Sequence, residues 1–389
     1  MSARTPRRAP EVISALPVAV DAMGGDRAPQ EIVKGARLAA DEGIEVVLVG
    51  PPEQVGDTCG LELVACSEVI AMDEDPGQGV RRKKDSSLVR AAEMVRDGRA
   101  CAMVSAGNTG AAMASALLRM GRLPGVHRPC IATPLPRLGQ VPAVLVDAGA
   151  NAECTPAMLL QFALMGAAYA ATRYDVAEPS VALLSIGEES SKGTPLVKET
   201  HKLLASTGLG RGGPGSFRFV GNIEGRDLLP SPADVVVTDG FTGNVTLKTL
   251  EGSLRFLFET LLGVFETDDA TRGASKELLP HLMPIASQLD PEGTGGAMLL
   301  GVDGVCVISH GSSSSVAILN AVRVAAELVR GGLVDQLAEA VSPPGGDPGG
   351  TPTRDRGKLL DGDPGPAGDT GPVSSVGTPT TTGVPTPRP

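Results

Sequence analysis

The sequence predicts an α/β fold in three layers: a doubly wound, mostly parallel sheet with helices on both faces. Three observations carry this expectation. Short β-branched runs alternate with alanine-rich amphipathic stretches along most of the chain, the order that a parallel sheet with crossover helices requires. The runs are apolar without strict alternation, as in strands covered on both faces. Nearly every run opens into a short polar segment carrying glycine, where a strand turns into the following element.

In chain order the expected strands are residues 18–20, 45–49, 100–104, 143–146, 181–186, 217–220, 235–237 and 305–308, apolar runs enriched in Val and Ile. The expected helices are residues 29–41, 87–97, 155–172, 195–206 and 316–329, which space apolar residues among alanines at the helical period. Gly208-Leu-Gly-Arg-Gly-Gly213 fits G-x-G-x-x-G formally, but it follows a helix rather than a strand and reads as a flexible loop. Residues 342–389 turn to Pro, Gly, Thr and Asp with almost no apolar side chains and keep no Gly-X-Y period. Such a tail cannot bury enough surface to offset its ordering entropy, so disorder is expected. Residues 1–16 form a basic, proline-rich extension without the apolar stretch of a signal peptide. One domain, residues 17–333, remains between the tails.

Composition narrows the function classes. Of 389 residues 42% are apolar, yet there is no Trp and only seven Phe and two Tyr. The core must come from Ala, Val, Leu and Ile, and base-stacking nucleic-acid modules are disfavoured. A formal charge of −11 opposes general affinity for phosphate backbones, which leaves Arg81-Arg-Lys-Lys84 as a local basic patch. Six scattered cysteines with no C-x-x-C pair argue against a disulfide framework or a zinc site, and no apolar run has the length of a transmembrane helix. The expectation is a soluble cytoplasmic protein, at most peripheral to a membrane.

Seven strand ends carry polar, glycine-bearing elements: Asp21-Ala-Met-Gly-Gly-Asp26, Ser105-Ala-Gly-Asn-Thr-Gly110, Asp147-Ala-Gly-Ala-Asn151, Ile186 to Gly193, Gly221-Asn-Ile-Glu-Gly-Arg-Asp227, Asp239-Gly-Phe-Thr-Gly-Asn244 and Ser309-His-Gly-Ser312. In a parallel sheet all such ends share one edge, so one convergent ligand site is expected. Gly-Asn-Thr-Gly and Ser-His-Gly-Ser-Ser each open a helix, whose first amides and positive dipole end favour a phosphate or oxyanion. Simple capping by Asn108 and Ser312 is the alternative. Lys192 is a candidate cation for an anionic substrate, or else a solvated loop lysine. There is no G-x-x-x-x-G-K-[ST], no G-x-S-x-G elbow, no histidine with an acid four or five residues on, and no ligand-spaced acid and histidine cluster. Neither a metal nor a cofactor is expected. Catalysis would rest on positioning and oxyanion stabilisation.

Taken together, these elements resemble the bacterial phosphate acyltransferase family PlsX. The likeness lies in Val20-Asp-Ala-Met-Gly-Gly-Asp26 with Pro29, the "RRKKDSS" of Arg81 to Ser87, "SAGNTGA" from Ser105, "VDAGAN" from Val146, "IGEESSKG" from Ile186, "GNIEGRD" from Gly221, "DGFTGNVTLK" from Asp239 and "LLGVDGVCVISHG" from Leu299. The resemblance implies reversible transfer of a long acyl chain from acyl carrier protein to inorganic phosphate, giving acyl phosphate for phospholipid synthesis. It also implies a homodimer, a fold similar to isocitrate/isopropylmalate dehydrogenases and phosphotransacetylase, and a membrane acyltransferase partner that consumes acyl phosphate. On this reading Lys192 stands beside the developing oxyanion or phosphate, Asn222 and Asn244 are donors, and His310 protonates or holds the leaving sulfur. Asn108, Thr109 and Gly110 cradle phosphate, and Asp21, Gly24, Gly25, Asn151, Asp239 and Ser312 complete the substrate site. Asp21 and Asp26 cap the turn or orient a cation such as Lys192. Arg81, Arg82, Lys83 and Lys84 receive the acidic carrier protein, or form a solvated charged face.

One segment departs from the family pattern: Gly293-Thr-Gly-Gly-Ala-Met-Leu-Leu-Gly301 has Met298 in place of a proline, which alters loop stiffness. Residues 247–265 concentrate Phe256, Phe258 and Phe265 on a helix apolar nearly all round. Burial in a dimer interface is the first reading, and membrane contact or a path for the acyl chain the alternative. Three rivals stay open: a decarboxylating dehydrogenase on the same fold, a short-chain phosphotransacetylase using acyl-CoA, and a noncatalytic scaffold.

Overall fold

The computed structural model describes residues 16–207, 213–289 and 291–342. The tails expected at 1–16 and 342–389 fall outside it except for Leu16 and Ser342, as do all but the last residue of the glycine-rich loop 208–213.

The first half of the chain runs β1 (Val18–Asp21), α1 (Gln30–Asp41), β2 (Val46–Gly50), α2 (Pro52–Val55), β3 (Glu62–Ala65), α3 (Pro76–Arg82), α4 (Ser87–Arg96), β4 (Ala102–Ser105), α5 (Thr109–Arg119) and β5 (Cys130–Leu135). It continues through β6 (Ala143–Val146), α6 (Pro156–Tyr174), β7 (Ser180–Leu184), α7 (Pro195–Thr207), β8 (Arg218–Ile223), β9 (Val235–Val237), α8 (Gly240–Phe265) and α9 (Asp269–Leu289). The last elements are β10 (Ala297–Leu300), β11 (Val305–Ile308), α10 (Ser315–Arg330) and α11 (Leu333–Val341). All strands join one sheet in the order β3-β2-β1-β4-β11-β10-β5-β6-β9-β7-β8. Alternate strand residues feed two separate cores. Val18, Val20, Leu48 and Val104 face α1, α6 and α10, whereas Ala19, Val47, Val49 and Met103 face α4 and α5. Helices therefore cover both faces, as the apolar runs require.

The sheet is mixed. Seven strand pairs are parallel, but β10 is antiparallel to both β11 and β5, and β5 is antiparallel to β6. The strands β3-β2-β1-β4-β11 therefore run one way and β6-β9-β7-β8 the other. One row of paired residues crosses the sheet through Val20, Val104, Val307, Met298, Ala132, Val146, Val237, Leu183 and Asn222. Both halves end near this row, but they approach it from opposite sides. Loops after β1, β4 and β11 leave by one edge, and loops after β6, β7, β8 and β9 by the other.

This corrects the expectation of seven elements on one shared edge. Three strands were not foreseen, and two of them cause the reversal. The β5 sequence Cys-Ile-Ala-Thr-Pro-Leu contains Pro134, and β10 is Ala-Met-Leu-Leu. Proline argues against a central strand, while Ala, Met and Leu favour helix. Pro134 is tolerated because β10 pairs only with Cys130 to Ala132. The Phe-bearing helix is longer than expected, and only Gly240 and Gly243 of α8 are buried. Phe256 is 71% exposed.

Candidate active site

At the first edge β1 ends in buried Asp21, whose Oδ2 accepts the Ser105 hydroxyl of β4 at 2.7 Å while Oδ1 accepts the Met23 amide at 3.2 Å. The Ser309 amide after β11 donates to the Ser105 carbonyl, and the Asp26 amide to the Gly311 carbonyl, both at 2.8 Å. Three strand exits are thus laced together. Burial pushes the Asp21 carboxyl above the usual carboxylate range, against hydrogen bonds from Ser87, Ser105 and the Met23 and Gly24 amides. Gly24 is required here, because a Cβ would stand 2.6 Å from the Gly107 amide nitrogen and 2.7 Å from Asp21 Oδ2. Gly25 faces the Gly311 carbonyl.

Helix α5 opens at the same edge. Asn108 caps it by accepting the Ala111 amide at 3.0 Å, and its Nδ2 donates to the carbonyls of Met72 and Glu74. Thr109 is exposed, and Gly110 packs against Pro76. The phosphate site expected at the next helix start is occupied differently. Helix α10 is capped by Ser314 rather than Ser312, and Glu31 Oε2 accepts the Ser315 amide at 2.6 Å. That bond to the Ser315 amide holds the Glu31 carboxyl below its ordinary range. Ser312 instead pairs with His310: its amide donates to Nδ1 at 3.3 Å and its hydroxyl lies 2.8 Å from the same atom. Nδ1 is then the acceptor, so neutral His310 carries its proton on Nε2.

At the second edge Asp147, fully buried, gathers the turn after β6. It accepts the amides of Ile131, Ala150 and Asn151 at 2.8–2.9 Å, that of Gly149 at 3.2 Å, and Asn151 Nδ2 at 2.8 Å. Burial raises its carboxyl too. The α8 start packs on this turn so closely that a Cβ at Gly243 would stand 1.9 Å from the Asp147 carbonyl oxygen. Asp239 caps α8 through the Thr242 amide at 2.8 Å, and Asn244 is exposed beside Gly149.

Three strands along from β6, Asn222 of β8 is 6% exposed, and its Nδ2 donates to the Glu189 carbonyl at 3.0 Å. The Lys192 amide donates to the same carbonyl at 3.0 Å. Lys192 is exposed, with its stem against Gly187. Around this edge stand exposed apolar residues, with Ile186 at 81% and Phe241 at 65%. Ile186 was expected inside a strand, but β7 ends at Leu184. The Cys154 thiol, 3.6 Å from the Asn151 carbonyl, is pushed up to about 11 by burial, so it is no thiolate nucleophile at neutral pH.

The structure therefore groups Asp21, Gly24, Gly25, Asn108, Thr109, Gly110, His310 and Ser312 at one edge, and Asn151, Lys192, Asn222, Asp239 and Asn244 at the other. Within one chain Asp21 is surrounded by hydroxyls and amides and leaves by the edge opposite to Lys192, so it does not orient that lysine. In the basic patch Arg81, Arg82 and Lys84 are exposed, whereas Lys83 is engaged by Glu74 at 2.5 Å and by the Val69 carbonyl at 2.7 Å. Among the described residues no three His, Cys, Asp or Glu side chains form a metal-binding group. The sequence reading missed two residues. Asp147 repeats the Val-Asp-Ala of Val20 to Ala22, a signal that was there to use. His201, whose Nδ1 lies 2.9 Å from Asn222 Oδ1, is 21 residues away in sequence and carries no such signal.

The family model described as "Fatty acid synthesis protein" matches residues 16–336. A phosphate acyltransferase of Elusimicrobium minutum is 45% identical over 335 residues, which are 84% of this chain and 96% of that protein. A phosphate acyltransferase of Heliobacterium modesticaldum is 46% identical over 334 residues, 83% of this chain and 97% of its own length. Among solved structures, a phosphotransacetylase from Streptococcus pyogenes shares the fold, with a TM-score of 0.54 at 16% identity over 81% of this chain and 94% of that one. With the glycine-bearing strand ends in place and this similarity running through both halves of the sheet, the chain belongs to the fatty acid synthesis protein family of phosphate acyltransferases.

Proposed function

We propose that this chain transfers a long-chain fatty acyl group reversibly from acyl carrier protein to inorganic phosphate, forming acyl phosphate for phospholipid synthesis. The observation that carries this reading is the 45% identity to a phosphate acyltransferase over 84% of the chain. The second edge supplies matching chemistry. A phosphate oxygen attacks the thioester carbonyl carbon, negative charge gathers on the carbonyl oxygen, and the C–S bond then breaks as the thiolate leaves and takes up a proton. Lys192 and Asn244, both exposed, serve that developing charge. Asn222 holds the Lys192 loop, because its amide is committed to Glu189. Ile186 and Phe241 offer apolar surface for the acyl chain.

At the first edge the α5 amides of Thr109 and Gly110 serve an anion, and His310 Nε2–H serves a leaving sulfur. Because the two edges do not meet within one chain, the working form is a homodimer. Its domain begins at residue 17 and takes in α11 beyond the expected end at 333, because Leu337, Ala340 and Val341 are buried in the core; a fold of the isocitrate/isopropylmalate dehydrogenase class is supported by the helix-covered mixed sheet. The exposed Phe256 face of α8 suits a second copy or the surface of a membrane that houses the acyltransferase consuming acyl phosphate. Arg81, Arg82 and Lys84 are the docking cations for the acidic carrier protein. The proposed enzyme is cytoplasmic and its membrane contact peripheral; no helix among the described residues is long and apolar enough to cross a membrane.

The fold shared with a phosphotransacetylase favours one second reading, an acyl-CoA donor. Following acyl phosphate with palmitoyl-acyl carrier protein and with acyl-CoA as donors separates the two. The expected result is faster turnover from the carrier-protein thioester, and exclusive use of a short-chain CoA thioester would overturn the proposal.

A further inference from the structure

We propose that His201 is a positioning residue that fixes the Lys192 loop through the Asn222 side chain, an inference that rests on the role given to Lys192 above. Asn222 is 6% exposed and held at both ends of its amide. The Glu189 carbonyl can only accept, so the atom facing it at 3.0 Å is Nδ2. The other end is then Oδ1, facing His201 Nδ1 at 2.9 Å, and that nitrogen must carry a proton. The ring is set by Phe219, which meets it edge-on at 5.1 Å and 76°. A chain of contacts results from α7 to the loop. His201 Nδ1–H donates to Asn222 Oδ1, Asn222 Nδ2–H donates to the Glu189 carbonyl, and the Lys192 amide closes the turn on that same carbonyl at 3.0 Å.

Without the imidazole donor, Asn222 Oδ1 is a nearly buried acceptor with no partner, a costly state. A rotated amide gives no relief, because it turns Oδ1 towards the Glu189 carbonyl, acceptor against acceptor, and breaks the tie to the Lys192 turn. Both the neutral and the protonated ring carry Nδ1–H, so the contact holds in either state.

The test compares His201→Ala, His201→Phe, His201→Asn and His201→Gln with Lys192→Ala in the full-length protein, measuring kcat, KM for phosphate and the unfolding midpoint. His201→Phe keeps the ring packing without the donor, and Asn places its Nδ2 where Nδ1 stood, whereas Gln places its amide nitrogen at the Nε2 position. The expected result is that Ala, Phe and Gln lower kcat about tenfold in a folded protein, with the midpoint lowered by no more than the loss of one buried hydrogen bond. Asn restores kcat, with the acid limb of its pH–rate profile unchanged. Wild-type turnover in folded His201→Ala or His201→Phe overturns the inference, and so does loss of the acid limb in His201→Asn, which would make the imidazole a base. Full activity in Lys192→Ala overturns the underlying reading and the inference with it. An inactive Lys192→Ala beside a fully active His201→Phe overturns the inference alone.

Discussion

Each half of the sheet ends a central strand in Val-Asp-Ala, at Val20-Asp21-Ala22 and at Val146-Asp147-Ala148, and each buries the aspartate. The two carboxylates do different work. Asp21 ties neighbouring strands together, accepting the Ser105 hydroxyl of β4 at 2.7 Å. Asp147 folds its own loop, accepting the amides of Gly149, Ala150 and Asn151 as well as one from β5. The surroundings differ in the same sense. At the first edge much of the polar inventory is consumed internally, with Asn108 bonded at both ends of its amide and the α10 start occupied by Glu31. At the second edge Lys192 and Asn244 remain exposed beside two loops, one folded on Asp147 and the other tied to Asn222. Polar residues that look alike in sequence thus separate into a brace and an exposed rim.

The largest expected effect sharpens this contrast at the close-packed glycines. Gly243→Ala drives a methyl onto the Asp147 carbonyl, where backbone must move, and should cost about 4 kcal/mol or more. Gly24→Ala meets its nearest atom at 2.6 Å rather than 1.9 Å and should cost about 2 kcal/mol. Urea unfolding midpoints of the two variants give the comparison, and equal losses would break it.

The aspartates themselves give a smaller effect. Asp147→Asn turns an amide nitrogen towards at least one amide donor, since both carboxylate oxygens accept N–H groups, and should cost about 2–3 kcal/mol. Asp21→Asn is milder, about 1 kcal/mol, because the Ser105 hydroxyl can rotate and accept from the new amide. The same midpoints decide it, and a larger loss in Asp21→Asn would reverse the assignment of brace and loop.

Much of the fold was legible because strands buried on both faces must be β-branched and apolar, which is how β1, β2, β7, β9 and β11 read. The direction of the second half was not legible. It depends on β5 and β10, whose Pro134 and whose Ala-Met-Leu-Leu carry the propensities of other structures, and which are held in the sheet by neighbours on both sides. Every glycine-bearing element was found in sequence, but their division between two edges followed from those two strands. Lys192 could be picked out as a loop cation. The hold on it through Asn222 and His201 could not, because nothing local in α7 encodes a partner on β8.

The central claim is that acyl transfer to phosphate depends on the exposed cation of the second edge. The most direct measurement is the rate of acyl phosphate formation from palmitoyl-acyl carrier protein and phosphate by purified Lys192→Ala. A loss of about 10²- to 10³-fold, with the unfolding midpoint unchanged, is the predicted result. A wild-type rate in that variant would contradict the account.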